Sequence, residues 1–137
     1  MSARRKAREL TLKALYAYDI SGSEVEQISN DIISPSLIKP EAKKFAQSLL
    51  FKVAQNIEQI DGLIKDHAIS WDFSRIATIE KNILRMGICE FLFFDDIPST
   101  ISIDEAIELA KKYADKDSKN FVNAVLDSVL KGLEQKI

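Results

Sequence analysis

The apolar residues of this chain recur at three- and four-residue spacing in segment after segment, the period of helices that bury one face. Residues 3–20 place Ala7, Leu10, Ala14 and Tyr18 on one side with Leu15 flanking, and Ser21-Gly22 supplies a stop. A second helix is predicted over 23–33, with Val25, Ile28 and Ile32 together; it must end ahead of Pro35, because proline disfavours helical geometry in the residue before it. Pro40 suits a first helical turn, where its missing N–H is not needed. From there Phe45, Leu49, Val53, Ile57, Ile60 and Ile64 make one long stripe to about residue 66. Ser74 opens a further helix carrying Ile76, Ile79, Ile83, Met86 and Phe91, and its end is apolar all round, which places it near the centre of the fold. Asp95-Asp96-Ile97-Pro98 breaks it. Ser102 and Glu105 have capping-box spacing ahead of a helix that runs to about Tyr113. The last helix starts at Asp117 or Ser118 and buries Phe121 or Val122, then Val125, Val129 and Leu133.

No alternating, β-branched run competes with these stripes, and the chain holds only 4 glycines and 3 prolines. The expected fold is all-α, a compact helical bundle of six or seven helices on short loops. At 137 residues it is read as one domain spanning 1–137. No apolar run approaches the ~18 residues that span a bilayer, and a single cysteine, Cys89, fits a reducing compartment. The cytoplasm is the expected location, with no membrane partner.

Charge changes the picture locally. The net charge of −2 argues against a nucleic-acid binder, but Arg4, Arg5, Lys6 and Arg8 fall in the first eight residues. With those four set aside, 19 basic residues become 15 against 21 acidic, so the remainder carries −6. A basic arm on an acidic body can engage phosphate without making the whole surface adhesive. Arg4 and Arg8 are four apart and share a helix face, with Arg5 adjacent, so their guanidinium forks can track successive phosphates. A second basic patch, Lys111, Lys112, Lys116 and Lys119, surrounds the joint between the last two helices. There Asp117 reads as a helix cap or a base-edge acceptor, Ser118 as the start of a helix whose N–H groups face an anion, and Phe121 as core or as a stacking platform. One aromatic and a few amides beside lysines suit single-stranded RNA.

Catalytic and metal-binding constellations are not expected. His67 is the only histidine and reads as a helix-end imidazole satisfying carbonyls; Cys89 reads as a small core residue. Neither a Cys/His zinc site nor a Ser-His-Asp triad can be assembled, and no glycine-rich phosphate loop is present, so no cofactor is expected. Glu90 interrupts an apolar run with Arg85 one and a half turns earlier, which reads as a buried ion pair tying two helices together. Trp71 reads as a packing anchor between helices rather than a base-stacking platform.

Several blocks carry a resemblance. Ala3-Arg4-Arg5-Lys6-Ala7-Arg8-Glu9-Leu10 followed by Ala14-Leu15-Tyr16 resembles the arginine-rich first helix of the NusB family of transcription antitermination factors. Ile83-Leu84-Arg85 with Glu90-Phe91 resembles that family's central motif. Ile103-Asp104-Glu105-Ala106-Ile107-Glu108-Leu109-Ala110-Lys111 with Phe121-Val122-Asn123-Ala124-Val125-Leu126-Asp127 is similar to its C-terminal signature, the most specific of the three. The matches run in order from Ala3 to about Leu133. The resemblance implies two packed three-helix halves and an adaptor that catalyses nothing. Such an adaptor pairs with the ribosomal protein NusE, binds boxA-like RNA and acts on the RNA polymerase elongation complex in ribosomal RNA transcription. It implies RNA-facing roles for Arg4, Arg5, Lys6, Arg8, Lys116, Asp117, Ser118, Lys119 and Phe121, and partner-facing roles for Tyr16 and Glu80. Two departures accompany it: the family usually has glycine at the positions of Ala114 and Ala124, and a left-handed helix end there would cost alanine about 1 kcal/mol.

Two other readings remain open at the level of sequence. The same helical fold resembles the N-terminal domain of certain ribosomal RNA cytosine methyltransferases, in which a cofactor-binding domain follows. A third reading is a protein–protein scaffold that forms a homodimer through the basic arm.

Overall fold

The computed structural model describes residues 2–135, so both ends of the predicted span 1–137 lie outside the described residues. Among the described residues every regular element is helical, and the chain divides into two units, one up to Gln55 and one from Asn56.

The first unit opens with α1 (Ala3–Ser21), whose N-terminus is capped by the Ser2 hydroxyl accepting the Arg5 N–H at 3.1 Å. It stops at Gly22, which takes the left-handed conformation (φ 69°) that glycine reaches without a Cβ penalty. α1 packs on α3 (Pro40–Gln55). Small buried residues, Ala7 and Ala14 on α1 with Ala42 and Ala46 on α3, let the two backbones come close. The Thr11 hydroxyl donates to the Ala7 carbonyl at 2.9 Å and also lies 3.4 Å from the Ala46 carbonyl across the interface.

Between them, α2 (Val25–Ile28) continues into a π-helical turn over Ser29–Ile33, closed by the Ser34 N–H on the Ser29 carbonyl at 3.0 Å. That five-residue bond corrects the expected stripe. A π turn holds one residue more than an α turn, so Ile33 rather than Ile32 is buried with Ile28. The long third stripe also proves to be two helices. Asn56 (φ −120°, ψ 24°) leaves helical geometry, and α4 (Ile57–His67) belongs to the second unit. The first unit thus has the three helical segments that the family resemblance implies, and the second has four α-helices.

In the second unit, α5 (Thr78–Phe93) packs against α4, α6 (Ser99–Tyr113) and α7 (Ser118–Glu134). It starts four residues later than expected, because Asp72 Oδ1 accepts both the N–H and the hydroxyl of Ser74 and closes a 3-10 turn over Phe73–Arg75. Ile76 and Ala77 are then extended. Every residue of α5 from 82 to 90 is buried, but Phe91, Leu92 and Phe93 at its apolar end, and Phe94 after it, are only half-buried, so the buried stretch lies earlier in the helix than expected. The two charges in that stretch are each tied to a different neighbour. Arg85 presents its fork to Asp61 of α4, Nε to Oδ1 at 2.8 Å and Nη2 to Oδ2 at 2.9 Å, and donates from Nη1 to Asn82 Oδ1 at 3.0 Å. Glu90 accepts from the Ser102 hydroxyl of α6 at 2.7 Å. Ser102 is therefore a buried interior residue and not a cap: α6 begins three residues earlier, behind Pro98, and the capping-box expectation is corrected. His67 is likewise engaged across helices, with Nδ1 2.8 Å from the Ser128 hydroxyl of α7, rather than at its own helix carbonyls. No buried side-chain nitrogen or oxygen among the described residues lacks a partner.

At Gly87 α5 comes close to α7: an added Cβ would stand 2.9 Å from Cδ1 of the buried Leu126. Gly87→Ala is expected to destabilise the protein by about 1–3 kcal/mol in chemical denaturation. Gly62→Ala on α4, where a Cβ meets nothing within 4 Å, is expected to be neutral or stabilising by up to about 1 kcal/mol. Equal responses at the two glycines would contradict the packing described.

Candidate nucleic-acid interface

The N-terminal arm forms the first two turns of α1, with Arg4 and Lys6 exposed and Arg5 half-buried. Arg4 and Arg8 do share a face, but that face is turned to α3. The Arg4 guanidinium lies 4.4 Å from the centroid of the Phe45 ring, and the Arg8 guanidinium 5.3 Å from the same ring. Arg8 is only 4% exposed, which corrects its expected place on a solvated arm. Both guanidinium groups meet the electron-rich ring, but only Arg8 is enclosed there, so Arg8 anchors the arm while the exposed Arg4 and Lys6 and the half-buried Arg5 carry the charge that solvent reaches.

The second patch is built where α6 gives way to α7. Ala114 ends α6 in extended geometry (φ −117°, ψ −177°), and no described residue other than glycine has a positive φ. The strain expected from alanine in a glycine position is thus absent; Ala124 lies exposed within α7, where alanine is a good helix former. Lys116, Asp117 and Lys119 are exposed, whereas Ser118 is buried, which takes its side chain away from the surface. Asp117 stands at the N-cap position in helical geometry (φ −88°, ψ −11°), and its side chain makes no capping bond, so the cap reading fails and the carboxylate faces solvent. The N–H groups of Ser118 and Asn120 are taken by the carbonyls of Asp115 and Asp117 at 2.9 and 3.3 Å. The backbone there offers less to an anion than expected. Lys111 pairs with Glu108 at 3.3 Å and Lys112 lies over its neighbour Tyr113, 5.4 Å from the ring centroid.

Phe121 is half-buried. The core of α7 runs through Val122, Val125, Leu126 and Val129, which leaves the Phe121 ring at the edge. It meets Trp71 edge-to-face, centroids 5.1 Å apart and planes at 62°. Trp71 is 57% exposed, so it is no buried packing anchor, and the sequence reading missed it as a surface residue. The available signal was its position between Ser70 and Asp72, in the loop after α4 rather than on any apolar stripe.

The partner-facing candidates lie one in each unit. Tyr16 on α1 is 44% exposed, and Ile20, one turn on and 65% exposed, extends it into an apolar strip that sequence reasoning did not single out. Glu80 is half-buried in the first turn of α5. Among the described residues no group of three or more His, Cys, Asp or Glu side chains could hold a metal ion, and no helix is long and apolar enough to cross a membrane.

A transcription antitermination protein NusB of Chloroherpeton thalassium is 39% identical over 98% of this chain, which spans 64% of that relative's length. One from a Nitratiruptor species is 40% identical over 96% of this chain and 94% of its own. A chain from the crystal structure of antitermination factors NusB and NusE in complex with double-stranded RNA is 29% identical, covers 96% of this chain and 98% of its own, and superimposes with a TM-score of 0.87. Residues 5–131 match the NusB family, from the arginine-rich start of α1 into the last turns of α7, and this chain belongs to that family.

Proposed function

We propose that this chain is a transcription antitermination factor. It binds a boxA-like, single-stranded RNA element together with the ribosomal protein NusE and acts on the RNA polymerase elongation complex, supporting ribosomal RNA transcription. The observation that carries this reading is the superposition, over nearly the whole chain, on a chain crystallised in a NusB–NusE–RNA complex. The names of the relatives support it over a methyltransferase domain or a scaffold. In this reading the span 1–137 works as one cytoplasmic RNA-binding domain and catalyses no reaction.

The RNA-facing cations are Arg4, Arg5 and Lys6 in the first unit and Lys116 and Lys119 in the second, with Asp117 and Phe121 meeting base edges and faces. The RNA in the solved complex is double-stranded. The single-stranded preference proposed for this chain rests on Phe121, a half-buried ring in the first turn of α7, shortly after the exposed Lys116 and Lys119 in the chain, which suits an unpaired base. Arg8 serves by holding the arm against Phe45. Tyr16 with Ile20, and Glu80, face the protein partner.

Replacing Arg4, Arg5 and Lys6 together by alanine is expected to weaken RNA binding and to flatten the plot of log affinity against log salt by about 2, the slope of three phosphate contacts on a single strand. The denaturation midpoint should change little. Arg8→Ala should do the reverse, lowering stability first. An unchanged salt slope in the triple variant would remove the arm from the RNA site.

Because Asp117 caps nothing, Asp117→Ala is expected to leave stability within about 0.5 kcal/mol of the wild type. Phe121→Ala should weaken RNA binding by about 1–3 kcal/mol, with a stability loss below the ~3–5 kcal/mol of a fully buried phenylalanine. RNA affinity and denaturation midpoints measured on the same samples separate the two effects. Full-sized stability losses with normal affinity would place both residues outside the interface.

A further inference from the structure

Tryptophan is among the side chains with most apolar surface to bury, and the one tryptophan here leaves more than half of its surface in solvent. It is held there. The Trp71 N–H donates to the Ala68 carbonyl at 3.0 Å, the next residue closes the Asp72–Ser74 turn, and the indole is braced edge-to-face on Phe121. Such a T-shaped contact uses only part of the indole and restricts its two side-chain torsions, so a flat ligand can settle on the remainder with little ordering cost.

The surroundings are cationic. Two residues along the same loop, the Phe73 ring receives two ammonium groups, Lys65 at 4.9 Å and Lys81 at 4.5 Å from its centroid. Two positive charges gathered on one ring repel each other, and an anion brought to them relieves that repulsion. The exposed Lys116 and Lys119 lie in the turn and the first residues of α7 that precede Phe121. Exposed aromatic surface with lysines close by in the chain is the pattern that takes a nucleobase with its flanking phosphates.

We infer that Trp71 is an RNA-binding residue whose exposed indole, braced by Phe121, stacks on an unpaired base of the bound strand. This rests on the RNA-binding role proposed above, which it extends by one base-binding position on the loop between α4 and α5.

Because Trp71 is the only tryptophan, its emission reports on this site alone. The full chain, with NusE present, is titrated with a single-stranded boxA-like RNA. Tryptophan emission is compared with that of NusE and RNA without the chain, and affinity is read from the anisotropy of labelled RNA. The expected result is emission quenched in step with binding, an affinity loss of about 5- to 100-fold in Trp71→Ala and Trp71→Leu, and recovery of most of it in Trp71→Phe, which restores a ring. Far-ultraviolet dichroism and thermal midpoints near wild type would show that the exposed substitutions leave the fold intact. RNA that binds with unchanged emission and within twofold affinity in Trp71→Ala would overturn this inference and leave the RNA-binding role standing. A loss of affinity for NusE measured without RNA, and none for RNA, would overturn it in favour of a protein contact. Absence of RNA binding by the wild-type chain would overturn both.

Discussion

The second unit depends on the burial of α5. A helix enclosed from residue 82 to residue 90 would ordinarily be apolar throughout, yet this one carries a guanidinium and a carboxylate that must each be matched inside the fold. The matches come from different helices: Asp61 of α4 meets the Arg85 fork, and Ser102 of α6 meets Glu90. At Gly87 the absent side chain admits Leu126 of α7. One helix thus fixes three others, two by polar complementarity and one by close packing. Removing either charge's partner would leave a buried polar group short of a bond, which is how two polar residues in a hydrophobic element can enforce a single arrangement.

That arrangement keeps the central motif of the family resemblance out of the RNA-facing surface proposed for this unit. Leu84-Arg85 and Glu90 are internal; none of the three is exposed. What α5 does is hold α4 and α7 so that the loop leaving one and the first turns of the other present Trp71 and Phe121 to each other. The first unit divides its basic residues in the same way. Arg8 is enclosed over Phe45, where α1 packs on α3, and of the charges two to four residues closer to the terminus Arg4 and Lys6 are exposed and Arg5 is half-buried. Charge that holds the fold and charge that meets a partner lie within a few residues of each other, and burial separates them.

Most of the fold was legible because helical periodicity survives local irregularity, and the same property hid the irregularities. Val53, Ile57 and Ile60 keep helical spacing straight across Asn56, so a break of one residue left the pattern intact while dividing two units. The π turn after Ile28 shifted burial from Ile32 to Ile33, a choice between adjacent isoleucines that no pattern could make. Ser102 and Glu105 have the spacing of a cap, but the buried carboxylate of Glu90 claims the serine, and that pairing exists only in three dimensions. At the candidate site, the positions of Lys116, Lys119 and Phe121 followed from the sequence. The inward turn of Ser118 and Arg8 and the exposure of Trp71 did not, because each is decided by a neighbouring helix or loop.

The central claim is that this helical scaffold recognises RNA jointly with a protein partner. The most direct test is a titration of boxA-like RNA and of the same nucleotides in scrambled order, each with the chain alone and with NusE added at saturating concentration. The account predicts weak, poorly discriminating binding by the chain alone, and with NusE a gain in affinity of tenfold or more that is confined to the boxA-like sequence, about 1.4 kcal/mol of coupling. Affinity that is independent of both NusE and nucleotide order would contradict it.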